Sequence, residues 1–303
     1  MSTTTTKRGK SEKTLALINA ARDILEDIQP CSVRAVCYQL FIRKLIPGMS
    51  KNETNKVSTK LTWARENDII PWEWIVDESR EAETVSSWKD PAQILRATIR
   101  DYRRDNWQDQ PRRVEIWAEK GTIRGTLRDV LDDYGVTFRV MHGYTSATVI
   151  NEVVERSNAS RKPLIALYIG DYDPSGLHMS EVDLPGRVQR YGGEIEIRRV
   201  ALLKGDTEGL PSFPASDKSE DTRYGWFVAQ YGDDCWEVDA MSPNDMRERL
   251  TAEIEALMDM DAWEHAKTIE TAEIESMRGF LAGYGSWKSK SGPASICPKG
   301  GAK

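Results

Sequence analysis

The chain is poor in the residues from which zinc and redox sites are usually built, with three histidines and four cysteines in 303 residues. Cys31, Cys37, Cys235 and Cys297 nowhere fall at zinc-ligand spacing, which excludes a zinc finger or ribbon and points to buried thiols in a reducing compartment. No stretch approaches the roughly 18 uninterrupted apolar residues of a membrane-spanning helix. The opening residues, MSTTTTKRGKSEK, lack the apolar core of a secretory signal, so a cytoplasmic location is expected. A P-loop is also missing, which excludes the usual phosphate cradle of an ATPase.

What is present suits a globular protein. Hydrophobic residues make up 39% and charged residues 30%, and the length allows two ordinary domains. The net charge of −6 argues mildly against a nucleic-acid partner, but its distribution argues for one. Residues 1–70 hold 12 Lys/Arg against 7 Asp/Glu, a net of +5, which leaves −11 for residues 71–303. A basic module joined to a carboxylate-rich remainder is one explanation, and uneven surface composition is the other.

Residues 1–11 read as a flexible polar tail. From Glu12 to Ile28, Ile18, Ala21, Leu25 and Ile28 recur at helical steps. Pro30 ends that helix, and Ser32 can cap a second with a stripe of Val33, Val36, Cys37, Leu40 and Phe41. Ser50 and Glu53 form a capping-box pattern for a third helix, with Val57, Leu61 and Ala64 inward and Lys51, Lys56, Lys60 and Arg65 mostly outward. IIPWEWIV, residues 69–76, reads as a strand or wing. Three helices and a wing suggest a winged-helix domain over residues 12–76, whose basic third helix would face a DNA groove. A small helical domain with a solvated lysine face is the plainer alternative.

Residues 77–110 are charged and read as a linker, apart from a short helical run near Ile94–Ile99. Beyond Arg112, strand-like and helical segments alternate, with strands at Val114–Trp117, Val136–Met141 and Leu164–Ile169. This predicts an α/β domain with a mostly parallel sheet over residues 111–285. The last residues, 286–303, are rich in Lys, Gly, Ser and Pro and read as a second flexible tail.

One stretch raises a chemical question. LYIGDYDPSGLH, residues 167–178, sets Asp171 and Asp173 one residue apart after a strand and before Pro, Ser and Gly. Either they close a turn, for which all these residues are suited, or they hold a cation. Ligands in open parallel sheets bind beyond the carboxyl ends of the strands, and Glu119 lies just past the end of Val114–Trp117. If the two strands are neighbours, three carboxylates converge, which favours a hard divalent cation, magnesium or manganese rather than zinc. His178 could be a fourth ligand, although packing within the following helix explains it more simply.

WAEKGT around Glu119, followed some fifty residues later by YIGDYDPSG, resembles the Toprim domain of topoisomerases, primases and related nucleases. Residues 210–250 narrow the resemblance to the topoisomerase VI A subunit and its relative, the meiotic double-strand-break protein. They contain Asp221-Thr222-Arg223 and Glu237-Val238-Asp239-Ala240-Met241-Ser242-Pro243, in the order those families show. The similarity spans roughly residues 15 to 255. It also picks out Arg34-Ala35-Val36-Cys37-Tyr38, similar to the family segment whose tyrosine attacks DNA, with Ala35 and Cys37 departing from the commonest residues.

The resemblance implies a type IIB topoisomerase-like enzyme that breaks double-stranded DNA by transesterification. Tyr38 would be the nucleophile and Arg34, one helical turn away on the same face, would stabilise its charge. Magnesium would sit on Glu119, Asp171 and Asp173, and Lys51, Lys56, Lys60 and Arg65 would contact DNA. In the family the tyrosine of one subunit meets the metal of the other, so a homodimer is expected, possibly joined by a separate ATPase (B-type) subunit. The protein would then be nucleoid-associated. Two alternatives stand beside this: a Toprim nuclease that hydrolyses DNA with metal-activated water, and an inactive DNA-binding or scaffold protein.

Overall fold

The computed structural model describes residues 11–76, 87–141 and 147–291. The first helices lie where periodicity and capping place them. Helix α1 (Glu12–Ile28) starts at Ser11, whose hydroxyl accepts from the Thr14 amide. After strand β1 (Cys31–Ser32), α2 (Val33–Ile42) is capped by Ser32, whose Oγ accepts from Ala35 N at 3.1 Å. Ser50 caps α3 (Lys51–Glu66) in the same way through Glu53 N. Ile18, Leu25, Val36, Leu40, Val57 and Leu61 meet in one buried core.

The segment read as a strand or wing forms a short strand at its end. Residues 72–74 make a 3-10 turn, and β2 (Ile75–Val76) pairs in parallel with β1. No hairpin forms there among the described residues, and residues 77–86 lie outside them. Pro71 sets the turn, since its ring fixes φ and removes an amide that a ladder would need.

After α4 (Pro91–Asp101) comes the α/β part: β3 (Arg113–Ala118), α5 (Ile123–Thr126), α6 (Arg128–Tyr134), β4 (Thr137–Val140) and α7 (Ala147–Ala159). It continues with β5 (Leu164–Ile169), α8 (Pro174–His178), a π-helical turn, α9 (Leu184–Arg190) and β6 (Ile195–Ala201). The sheet is parallel throughout, in the order β4-β3-β5-β6. The chain moves outward from β3 to β4, then returns to lay β5 on the other flank of β3, which makes the β3–β5 boundary a topological switch point. Strand β5, LIALYI, is buried at every position, as its unbroken apolar run requires. Trp117, Ala166 and Tyr168 pack on one face against Ile150 and Val154 of α7 and Leu184 and Val188 of α9. Beyond the sheet lie β7 (Phe213–Pro214), α10 (Tyr224–Tyr231), β8 (Asp234–Cys235) and α11 (Pro243–Glu255), with β7 and β8 paired antiparallel.

The chain divides into two compact units, with boundaries at residues 110/111 and 258/259. The helices of the N-terminal part and the sheet belong to the first. The second joins residues 87–110 to α12 (Met260–Ser291). Residues 87–110 of the stretch expected as a linker are therefore folded. Asp90 caps α4 by accepting from Gln93 N at 2.8 Å, Trp107 meets Trp263 edge-on, and Glu273 accepts from both Tyr102 Oη and Arg104. Its partner surface lies some 160 residues away in sequence, which is why local composition does not reveal it. The α/β domain expected over 111–285 gives up its last helix to this second unit, and that helix runs on to Ser291, into the stretch read as a tail.

Cys31, Cys37 and Cys235 are buried free thiols, as expected, and Cys297 lies outside the described residues. Among the described residues no helix is long and apolar enough to cross a membrane.

The two serine caps allow a comparison. Ser50 is exposed and only caps, whereas buried Ser32 also donates to Asp239 Oδ1 at 2.8 Å. Ser50→Ala should cost about 1 kcal/mol in urea unfolding, and Ser32→Ala about 2–3 kcal/mol, because it also strips a donor from a buried carboxylate. Equal losses would show that the Asp239 bond contributes nothing.

Candidate active site at the carboxyl rim of the sheet

Strands β3 and β5 are neighbours, with Ala118 opposite Ile169, so the chain leaves both at the same edge. Glu119 N donates to Ile169 O at 2.9 Å, and Asp171 N donates back to Glu119 Oε2 at 3.0 Å. The two expected carboxylates are thus locked together by backbone as well as by proximity. The approach is close enough to require glycine. A Cβ on Gly176 would lie 2.3 Å from Asp171 O and 2.9 Å from Glu119 Oε2.

Asp171 and Asp173 perform different tasks. Asp173 Oδ1 accepts from Gly176 N and Ser175 Oγ, both at 2.8 Å, so it caps α8. The turn alternative therefore describes one of its oxygens, while the other lies 3.2 Å from Lys218 Nζ. Asp171 Oδ1 accepts from Lys120 Nζ and from Val238 N, both at 2.9 Å. Both aspartates are buried. Arg199 draws the loop inward by donating to the carbonyl oxygens of Gly170, Asp171, Gly176 and Leu202.

The segment Glu237-Val238-Asp239 crosses this rim and adds two more carboxylates. Lys120 Nζ lies 3.0 Å from Asp239 Oδ2 and 3.7 Å from Glu237 Oε2, as well as 2.9 Å from Asp171. Its ammonium joins three acidic groups from two segments distant in sequence. Burial works against the charge on Lys120, but these carboxylates outweigh it and raise its pKa. The Glu119 carboxyl is pushed up to about 7, first by burial and then by the charges of Asp171 and Asp173. Asp171 is also raised by burial, against the pull of Lys120.

Helix α2 is carried to the same place. Arg34 forms a two-pronged ion pair with Glu237, and Ser32 holds Asp239. Tyr38 is buried, lies under the Arg34 guanidinium at 5.9 Å, and lines a cleft of about 350 Å³ with Arg34, Ser50, Phe213 and Glu237. Its phenol is pushed up to about 12 by burial and by Glu237, with Arg34 and Lys120 pulling the other way. Arg34 acts on the phenol in the expected direction, but burial first and then Glu237, which pairs with the guanidinium, outweigh it.

Of the residues expected to contact DNA, Lys51 is exposed at the start of α3, Lys56 is paired with Glu53 at 2.5 Å, and Lys60 is half-buried. Arg65 is half-buried, stacking on the exposed Trp72 at 4.4 Å and donating to its carbonyl. His178 packs edge-on against Trp226 at 5.2 Å, the simpler of its two readings. Asp221 and Arg223 pair with each other.

The oxygen-only donor set of Glu119, Asp171 and Asp173 suits a hard cation, and Glu119 is raised first by burial and then by the charges of the two aspartates. As the side chains lie, however, no three acidic, histidine or cysteine groups among the described residues are gathered to hold one ion. Lys120 and Lys218 neutralise two of the carboxylates instead. Sequence reasoning assigned no role to Lys120, Lys218, Glu237 or Asp239. Lys120 adjoins Glu119, and Glu237 and Asp239 lie in a segment singled out for its resemblance, but only the fold brings them together.

No family model, curated protein or solved structure matches this chain.

The Glu119 shift makes a pH prediction. A carboxyl raised from 4.5 to about 7 on folding binds its proton more tightly in the native state, so its contribution is full below about pH 4.5 and lost as pH rises through 7. Glu119→Gln keeps an acceptor for Asp171 N and removes the titration. The variant should match the parent below pH 4.5 and exceed it above pH 7 by on the order of 3 kcal/mol in urea unfolding. A constant difference across that range would mean that Glu119 titrates normally.

Proposed function

We propose that the protein is a DNA-cleaving transesterase of the topoisomerase VI A type, in which a winged-helix-like N-terminal part and a Toprim-like sheet supply one reaction centre. The observation that carries this is the convergence of Tyr38 and Arg34, from α2, on the rim carboxylates through Glu237. Tyr38 Oη attacks a phosphodiester; the new O–P bond forms as the bond to the 3′ oxygen breaks. The products are a 5′-phosphotyrosyl link and a free 3′ hydroxyl. With its phenol raised to about 12, Tyr38 gives up its proton only as the new O–P bond forms, and the departing 3′ oxygen takes up a proton from solvent. Arg34, beside the phenol, faces the phosphate charge.

Glu119, Asp171 and Asp173 would hold magnesium or manganese, which when bound neutralises charge at the leaving oxygen. Cutting both strands takes two copies, so a homodimer on double-stranded DNA in the cytoplasm, at the nucleoid, belongs to the proposal. ATP-driven strand passage would need a separate ATPase subunit.

Hydrolysis is the second reading, in which Tyr38 has no chemical role. A nuclease would use Glu119, pushed up to about 7, as the base for water. Tyr38→Phe separates the two, because it removes one oxygen and keeps the ring. Transesterification predicts loss of both cleavage and the denaturation-resistant protein–DNA adduct in plasmid assays with magnesium. Cutting that survives in Tyr38→Phe, with no adduct in the parent, would establish hydrolysis.

DNA contact through α3 has its own test. Lys51→Ala combined with Lys60→Ala should weaken duplex binding and flatten the slope of log K against log salt by about 2, one counterion per lost phosphate contact. An unchanged slope would place the DNA on another surface.

A further inference from the structure

The cleft beside Tyr38 is larger than a tyrosine nucleophile needs. Phosphate attack requires an open approach to one oxygen, yet here Tyr38 opens into about 350 Å³, the small end of the range for organic ligands. Its walls are of two kinds. Phe41, Met49 and Phe213 are half-buried and present apolar and aromatic surface. Asp217 supplies a carboxylate, while Glu237 and the Arg34 guanidinium are committed to each other.

The interior of the cleft favours a flat, uncharged ring with N–H donors. Aromatic walls gain from stacking, and the Asp217 carboxylate accepts best from adjacent N–H groups. We propose that the cleft takes a single unstacked nucleobase of the DNA strand being cut, with guanine preferred. Guanine offers neighbouring N1–H and N2–H donors, whereas thymine flanks its one N–H with carbonyl oxygens. The inference rests on the DNA-cleaving reading and adds what that reading lacks, a means of placing the scissile phosphate. A base drawn into the cleft fixes its own backbone phosphate at the mouth, where Tyr38 lies. The unstacking cost is lowest where the base is already unpaired, so mismatched, bulged or negatively supercoiled DNA is favoured over relaxed duplex.

The test is a binding measurement in chelator, so that no cleavage is needed for the readout. Fluorescence polarisation would compare a labelled duplex carrying one unpaired guanine with the same duplex fully paired and with one carrying an unpaired thymine. The full-length protein should bind the guanine bulge about tenfold more tightly than the paired duplex, in line with stacking of one base on aromatic side chains. Phe213→Ala should abolish that preference. Asp217→Asn, at an exposed position that leaves the fold intact, should narrow the gap between guanine and thymine. Equal affinity of the parent for bulged and paired duplex would overturn the inference, as would a preference that survives both substitutions. Free deoxyguanosine monophosphate competing as well as the bulged duplex would overturn it in favour of a nucleotide ligand. An adduct without the bulge preference would sink this inference alone, whereas the preference without an adduct would sink the transesterase reading alone.

Discussion

The ammonium of Lys120 is the point on which the rim depends. It leaves the end of β3 beside Glu119 and lies within 3.0 Å of both Asp171, at the end of β5, and Asp239, in a segment that closes over the sheet edge. Without a cation there, Asp171, Asp239 and Glu237 would face one another as buried or half-buried charges, opposed by the Val238 amide, the Ser32 hydroxyl and Arg34. Losing one partner of such a group costs several kcal/mol, because the remaining charges stay desolvated. The 237–239 segment in turn fastens α2, through Glu237 to Arg34 and Asp239 to Ser32. Arg247 of α11 adds to this by donating to the carbonyls of Ile28, Gln29 and Pro30. The N-terminal helices and the sheet are therefore one unit through electrostatics more than through a shared apolar core.

That dependence bears on the chemistry. A group of carboxylates held by the chain's own lysines is poised for exchange of counter-charge: phosphate, divalent cation or proton can each alter the balance. The raised carboxyl of Glu119 and raised phenol of Tyr38 have the same origin, burial beside uncompensated negative charge.

Much of the local architecture could be read directly. Ser32 and Ser50 mark two helix starts because each precedes an amphipathic run, whereas Ser11, read as part of a tail, is a cap only in the structure; β5 is evident because six consecutive apolar residues must be buried on both faces. The convergence of Glu119 and Asp171 followed conditionally from strand ends, and the pairing of β3 with β5 met that condition. Other features had no local signal. Residues 87–110 look like a linker because the surface that orders them, on α12, is remote in sequence. Arg65 looks like a solvent-facing cation because its stacking partner, Trp72, lies beyond the end of its own helix.

The sequence by itself determined the helix caps, the buried parallel strand and the three carboxylates placed after strand ends, since each follows from contacts within a few residues or from the geometry common to parallel sheets. Only the tertiary structure decided what opposes those carboxylates. That Lys120 and Lys218 neutralise Asp171 and Asp173, and that Glu237 claims Arg34 and raises Tyr38, are consequences of segments meeting across 50 to 200 residues. Electrostatic partners are set by distance in space, and a pattern along the chain carries that distance only where local geometry fixes it.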